Sequence, residues 1–285
     1  MLRTARMRLR ALLASSVLFA FAFASLAQSQ ELPAPQPQVG QLGKDVVWVP
    51  TPYRLIDRML QMADTGSSDV VVDLGSGDGR IPIVAAKKFG ARSLGIEFDA
   101  DLVQLSLRAA EREGVTGRAR FLRQDLFQTD LAQASVIALY VSPAIMLRLR
   151  PRLLGLKPGT RIVSHQFTLN EWEADEEAVV ERVRAYLWVV PAKADGIWRL
   201  QLGEDIYKLE LQQTYQMLHG SAEYGGKRAT VLAARLRGEE VRFTFLDHNG
   251  DSRSFIGRIA GEAMQGTSNT YGRAALPWQA QRISR

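Results

Sequence analysis

The stretch "VVVDLGSGDGRI" (70–81) carries the residues with the clearest chemical potential. A β-branched run ends in Asp73, and Gly75, Gly77 and Gly79 follow at alternate positions. A strand that runs into glycines and then a helix aims backbone N–H groups and a positive helix end at the carboxyl edge of a sheet, where open α/β sheets bind ligands. The G-x-G-x-G spacing differs from the G-x-G-x-x-G of dinucleotide folds. Asp73 stands before the loop and Asp78 inside it, and both would repel a pyrophosphate. At ~4 Å and an effective dielectric of about 20, each like-charge contact costs roughly 4 kcal/mol. The same acids favour a ligand that brings positive charge. S-adenosylmethionine brings two, an α-ammonium and a sulfonium.

Two more acids fall where that ligand needs them. Glu97 ends the next strand and can accept both ribose hydroxyls. Asp125, in "FLRQDLF", follows the third strand and can accept the adenine amino group, while the Leu126 N–H donates to a ring nitrogen. Singly, each acid also reads as a helix cap, a solvated strand end or a turn residue. Together they mark one cleft, because three successive strand ends converge there.

The elements that must position these residues are legible around them. Thr51 and Pro52 read as the cap and first position of a helix carrying Leu55, Met59 and Met62 at helical spacing. Strands are predicted over 70–74, 93–97, 119–123, 135–141 and 161–165, and helices over 81–89, 99–113 and 143–154. This alternation implies a parallel sheet covered on both faces. Segments 184–190 and 197–202 read as an antiparallel pair that completes a seven-strand sheet. From 203 onward, short strands separated by "YGGK", "LRGEE" and "DHNGD" predict a small antiparallel sheet or barrel. The predicted layout is a leader over 1–27, a linker over 28–43, an α/β domain over 44–202, a β-rich module over 203–270 and an irregular tail over 271–285.

With these residues in place, the chain resembles a class I, seven-strand S-adenosylmethionine-dependent methyltransferase. "WVPTP", "DLGSGDGRIPIVAAKKFGA", "LGIEFDADLVQLSLRAAEREGV" and "RIVSHQFTLNEW" are similar to the lysine methyltransferases that modify the c subunit of ATP synthase and the adenine nucleotide translocase. The resemblance spans roughly 46–202. It implies methyl transfer to a protein lysine. It also implies cofactor contacts from Asp73, Gly75, Ser76, Gly77, Asp78, Gly79, Glu97 and Asp125, with Pro50 and Thr51 of "VPTP" closing over the cofactor. Tyr140, Ser142 and Pro143, at the end of the fourth strand, would then face the substrate, and Phe167 is a further candidate for shaping the acceptor site. Transfer from a sulfonium asks the protein chiefly to position a neutral amine and exclude water, so no catalytic residue is named. His165 in "IVSHQF" reads as a structural residue at a strand end.

The net charge of +6 is concentrated at the start of the chain. Arg3, Arg6, Arg8 and Arg10 precede the apolar run Ala11 to Ala27, and without those four the chain has 32 basic and 30 acidic residues. That balance gives no support for a nucleic-acid partner. The basic start, the apolar run and the small residues at Ser25 and Ala27 predict a secretory signal, with an uncleaved anchor as the alternative. An exported, periplasmic or membrane-anchored protein follows, and with it a membrane-proximal location. Such an address leaves open an exported binding protein on a retained but inactive methyltransferase fold. The absence of cysteine excludes disulfides, thiolate metal sites and a cysteine nucleophile. The three histidines, 165, 219 and 248, form no metal motif. Tyr186, Trp188, Trp198, Tyr207 and Tyr215 are expected to pack the core of the β-rich module.

Overall fold

The computed structural model describes residues 38–40 and 48–284. The predicted leader and most of the predicted linker lie outside the described residues.

Seven strands form the first sheet in the order β3-β2-β1-β4-β5-β7-β6. β1 (Val70–Leu74), β2 (Arg92–Glu97), β3 (Ala119–Arg123), β4 (Val136–Leu139) and β5 (Arg161–His165) run parallel. β6 (Glu176–Val180) and β7 (Val183–Val189) close one edge as an antiparallel hairpin. Helices α1 (Tyr53–Met62) and α2 (Arg80–Phe89) pack on the face carrying Val71, Val136, Ala138 and Val163. Helix α3 (Ala100–Arg112) joins α2 over Ala119 and Phe121 of β3. The opposite face carries Leu74, Ile96, Ile137 and Ile162 under α4 (Pro143–Leu154), together with Leu169, Trp172 and Trp188. Burial on both faces explains why the central strands read as nearly unbroken apolar runs.

Two expectations for this sheet are corrected. Thr51 does not cap α1. Pro52 takes the N-cap position with no side-chain cap, and the Thr51 hydroxyl is engaged elsewhere, as described below. The terminal hairpin is β6–β7, and the segment expected as its second strand, 197–202, belongs to the second domain. β6 escaped notice because it is an edge strand with alternating half-exposed residues, "EEAVV". Its turn also lacks a signal: Glu181 and Arg182 both adopt positive φ, 51° and 73°, a geometry usually supplied by Asn-Gly.

The second sheet is all antiparallel. β8 (Gly196–Leu202), β9 (Asp205–Thr214), β10 (Met217–Tyr224), β12 (Leu232–Arg237), β13 (Glu240–Leu246), β14 (Ser252–Ala260), β15 (Ala263–Thr270) and β16 (Leu276–Ser284) follow one another around it. β8 pairs with β16 on one side and β9 on the other, which closes a barrel. β11 (Lys227–Thr230) shares the free edge of β10 with β12. The stretch between "YGGK" and "LRGEE", expected as one strand, is thus broken in two, with Ala233 at φ 48° and a register shift between Leu232 and Arg235. The tail expected to be irregular is corrected as well. It forms β16, with Trp278 and Ala280 buried between exposed Pro277, Gln279 and Gln281, and it supplies a stave that removes an open edge. Trp198, Tyr207, Phe243, Phe245, Phe255 and Trp278 fill the interior.

β7 sets where the barrel hangs. It runs antiparallel to β5, so Val189 lies opposite Arg161, the first residue of β5. The chain therefore leaves the first sheet at the amino edge. There the Gly238 carbonyl, in the β12–β13 turn, accepts from the Ala192 N–H. Tyr215 stacks on Trp172 at 6.1 Å, and the Gln216 side chain donates to the Glu173 carbonyl. Trp198 and Tyr207 pack in the barrel as expected, but Tyr186 and Trp188 pack in the core of the first sheet, and Tyr215 against it, because β7 belongs to that sheet.

Candidate active site

The carboxyl edge of the parallel strands opens into a cleft holding about 950 Å³ of atom-free space, counting its mouth and the solvent there. Asp73, Glu97 and Asp125 all line it. They come from three adjacent strands: Asp73 is the fourth residue of β1, Glu97 the last of β2, and Asp125 sits two residues past β3.

Asp73 is buried, at 2% exposure. Burial pushes its carboxyl well above the ordinary range, and the charges of Glu97 and Asp78 push the same way. An ionised Asp73 is therefore costly unless a cation enters the cleft. Glu97 is held by the backbone. One oxygen accepts from the Gly77 N–H at 2.9 Å and the other from Phe98 and Asp99. Asp125 starts the 3₁₀ turn Leu126–Gln128 and accepts from the Phe127 N–H at 2.9 Å. Asp78, read from sequence as another ligand-facing acid, pairs with Arg80 at 2.6 Å. That ion pair offsets part of its charge, and the Arg80 guanidinium also donates to the Thr51 carbonyl at 3.0 Å.

The glycines differ in what they do. Gly77 has φ 55°, and a Cβ there would stand 2.8 Å from the Trp48 indole nitrogen. The loop thus tucks beneath the segment that crosses the cleft. Gly79 does not line the cleft. A Cβ on it would meet Phe121 at 2.6 Å and Ser106 at 2.7 Å, so its role is to let α2 pack on α3 and β3. Ser76 is buried, and its hydroxyl has no hydrogen-bond partner among the described residues. A buried orphan hydroxyl on the wall of a cleft fits a ligand that supplies the missing bond.

Pro50, Thr51 and Leu126 line the cleft, and so does Tyr140 from the acceptor group; Ser142, Pro143 and Phe167 do not. Ser142 is the N-cap of α4 and Pro143 its first residue. Phe167 stacks behind Tyr140 at 6.1 Å between centroids. Trp48, Arg80, Phe98 and Gln124 line the cleft without having been singled out from sequence. Only Arg80, beside Asp78 in "GDGR", carried a usable hint. His165, read as structural, is 4% exposed and stacks on Tyr140 at 3.7 Å. Burial pulls its pKa down to about 4, so the ring is neutral near pH 7. Among the described residues, no group of three or more His, Asp or Glu side chains gathers as a metal site.

A cleft edged by carboxylates from three successive strand ends, with an orphan hydroxyl and a crowded glycine loop, suits a cationic nucleoside better than a nucleotide phosphate. Comparison with known proteins gives the same answer. A family model for the ANTKMT methyltransferase domain matches residues 73–176. The protein-lysine N-methyltransferase of Saccharolobus islandicus is 38% identical over 151 residues, which cover 51% of this chain and 94% of that protein. The human lysine N-methyltransferase of the ATP synthase C-subunit is 36% identical over 129 residues, 45% of this chain and 54% of that one, so the match spans about half of that relative's length. Among solved structures, an RNA methyltransferase from Salinibacter ruber in complex with S-adenosyl-L-homocysteine is 44% identical, with a TM-score of 0.50 over 51% of this chain and 95% of that one. This chain belongs to the S-adenosylmethionine-dependent methyltransferase family of these protein-lysine N-methyltransferases.

Proposed function

We propose that the protein transfers a methyl group from S-adenosylmethionine to the side-chain amine of a protein lysine. The observation that carries this reading is the convergence of Asp73, Glu97 and Asp125 on one cleft, in a chain that covers nearly all of a protein-lysine N-methyltransferase. In this reading Asp73 takes the cationic end of the cofactor, with Gly75, Ser76 and Gly77 as its cradle. Glu97 accepts the ribose hydroxyls, Asp125 the adenine amino group, and the Leu126 N–H donates to a ring nitrogen. Pro50 and Thr51 cover the cofactor, and Tyr140 faces the acceptor.

The bound cofactor supplies an electrophilic methyl group with a thioether leaving group. The residues of the chain supply position and dryness. A lysine attacks only as the free amine, and entry into a half-buried, partly aromatic site lowers its pKa. His165, neutral in its buried seat, adds no positive charge against the incoming chain. The reading also puts the protein outside the cytoplasm or at a membrane, through the signal or anchor predicted over 1–27. No helix among the described residues is long and apolar enough to cross a membrane. An inactive exported binder is disfavoured, because the acids and glycines of the cleft are all present.

The test incubates the purified full chain with methyl-labelled S-adenosylmethionine and an extract from cells lacking the gene. Label recovered as methyl-lysine after protein hydrolysis is expected. Label that vanishes on ribonuclease treatment, the behaviour of an RNA methyltransferase, overturns the lysine assignment.

A further inference from the structure

The Thr51 hydroxyl and the His165 Nδ1 lie 3.0 Å apart, both buried, across 114 residues of sequence. Their meeting follows from the fold. Leu139 of β4 pairs with Ser164 of β5, so the next residues, Tyr140 and His165, emerge side by side at the carboxyl edge and stack at 3.7 Å. Thr51 sits on the strap Trp48-Val49-Pro50-Thr51, all four residues of which line the cleft. One side chain thus touches both walls of the site: the strap through a hydrogen bond, and Tyr140 through its ring face. The far side of the strap is also held, since Arg80 donates to the Thr51 carbonyl while paired with Asp78 of the glycine loop.

We infer that His165 is a positioning residue that sets the cofactor wall through Thr51 and the acceptor wall through Tyr140, by two separable contacts on one ring. It touches no reacting atom. Its hydrogen bond fixes the strap in the closed position before the cofactor arrives, so less ordering remains to be done on binding. Its ring face keeps Tyr140 in one orientation at the acceptor side. The inference rests on the methyltransferase reading and adds a division of labour within it.

The two contacts can be cut one at a time. Thr51→Val keeps the shape and removes the hydroxyl. His165→Phe keeps the ring and removes the nitrogen. His165→Asn keeps a polar group near the Nδ1 position and removes the ring. Titration calorimetry with S-adenosylhomocysteine reads the strap contact without requiring turnover. Thr51→Val and His165→Phe are each expected to bind about tenfold more weakly, as loss of one buried hydrogen bond implies. The double variant is expected to bind no worse than either single, because the two residues share one interaction. His165→Asn is expected to bind nearly normally and to lose kcat/KM for the acceptor. A merely structural histidine would lower thermal stability and leave the affinity of the folded protein unchanged. If His165→Phe does not fold, Thr51→Val alone decides the matter, since it leaves the histidine in place. Unchanged affinity in Thr51→Val, or additive losses in the double variant, overturns the inference. If the unaltered protein fails to bind S-adenosylhomocysteine, the function proposed above falls, and this inference with it.

Discussion

Replacing Asp73 with asparagine should move stability and cofactor affinity in opposite directions. The carboxyl is buried beside Glu97 and Asp78 and is pushed well above its ordinary 3.8. The unfolded chain has no such penalty, so it sheds the Asp73 proton near 4 while the folded chain keeps it. The sign follows. The stability contribution of a protonated Asp73 is fully present below about pH 4 and is lost as pH rises toward the folded-state pKa. Asparagine keeps the shape and has no proton to lose. The variant should therefore gain on the wild type by about 1.4 kcal/mol per pH unit through that window, until the folded-state pKa is passed. Urea midpoints for both proteins at pH 5, 6 and 7, without cofactor, measure this. Affinity should fall. A charge-assisted hydrogen bond contributes about 1.5–3 kcal/mol, which corresponds to a loss of about tenfold to a hundredfold. Cofactor binding to the wild type should also release a proton as Asp73 ionises, giving a binding enthalpy that depends on the buffer; the variant should lose that dependence. A stability difference that stays constant from pH 5 to 7, together with unchanged affinity, would refute the electrostatic reasoning behind the site.

Gly77→Ala places a methyl group 2.8 Å from the Trp48 indole at a positive φ, so it should displace the strap and weaken S-adenosylhomocysteine binding at least tenfold; calorimetry reads it. The His165 ring, held near 4 against an ordinary 6.5, makes the folded protein lose stability as pH falls from about 6.5 toward 4 at about 1.4 kcal/mol per unit, and His165→Phe should flatten that slope in urea titrations. Asp247 and Arg253 form a buried ion pair in the barrel, 2% and 6% exposed at the side chain. Asp247→Ala leaves the buried cation without its counter-charge and should cost about 3–5 kcal/mol, seen as early thermal melting of the barrel with cofactor affinity retained. A reporter fused after Gln41, with 1–27 still attached, should leave the cytoplasm; a reporter found in the soluble cytoplasmic fraction would remove the export reading.

Central elements were legible in the sequence because their signals are strong and redundant. β1, β3, β5 and α4 stand at their predicted bounds, since the central strands are short apolar runs, the edge strand β3 alternates buried and exposed residues, and α4 ends at Gly155. The acids that line the cleft were legible for a different reason: a parallel sheet sends every strand end to the same edge. What escaped depends on partners far away in the chain. β6 needs β7 to satisfy its backbone and carries little apolar signal of its own. β16 reads as a tail until β8 is known to pair with it. Thr51 looked like a cap because a hydroxyl before proline and a helix usually is one, and no local pattern reveals a histidine 114 residues away. Asp78 looked like a bare charge because its neighbour Arg80 could equally have faced water.

The reversed course of β7 has a practical result. Because that strand carries the polypeptide back to the floor of the sheet, the barrel occupies the end of the molecule remote from the acid-lined cleft. A partner covering the staves would leave that cleft open.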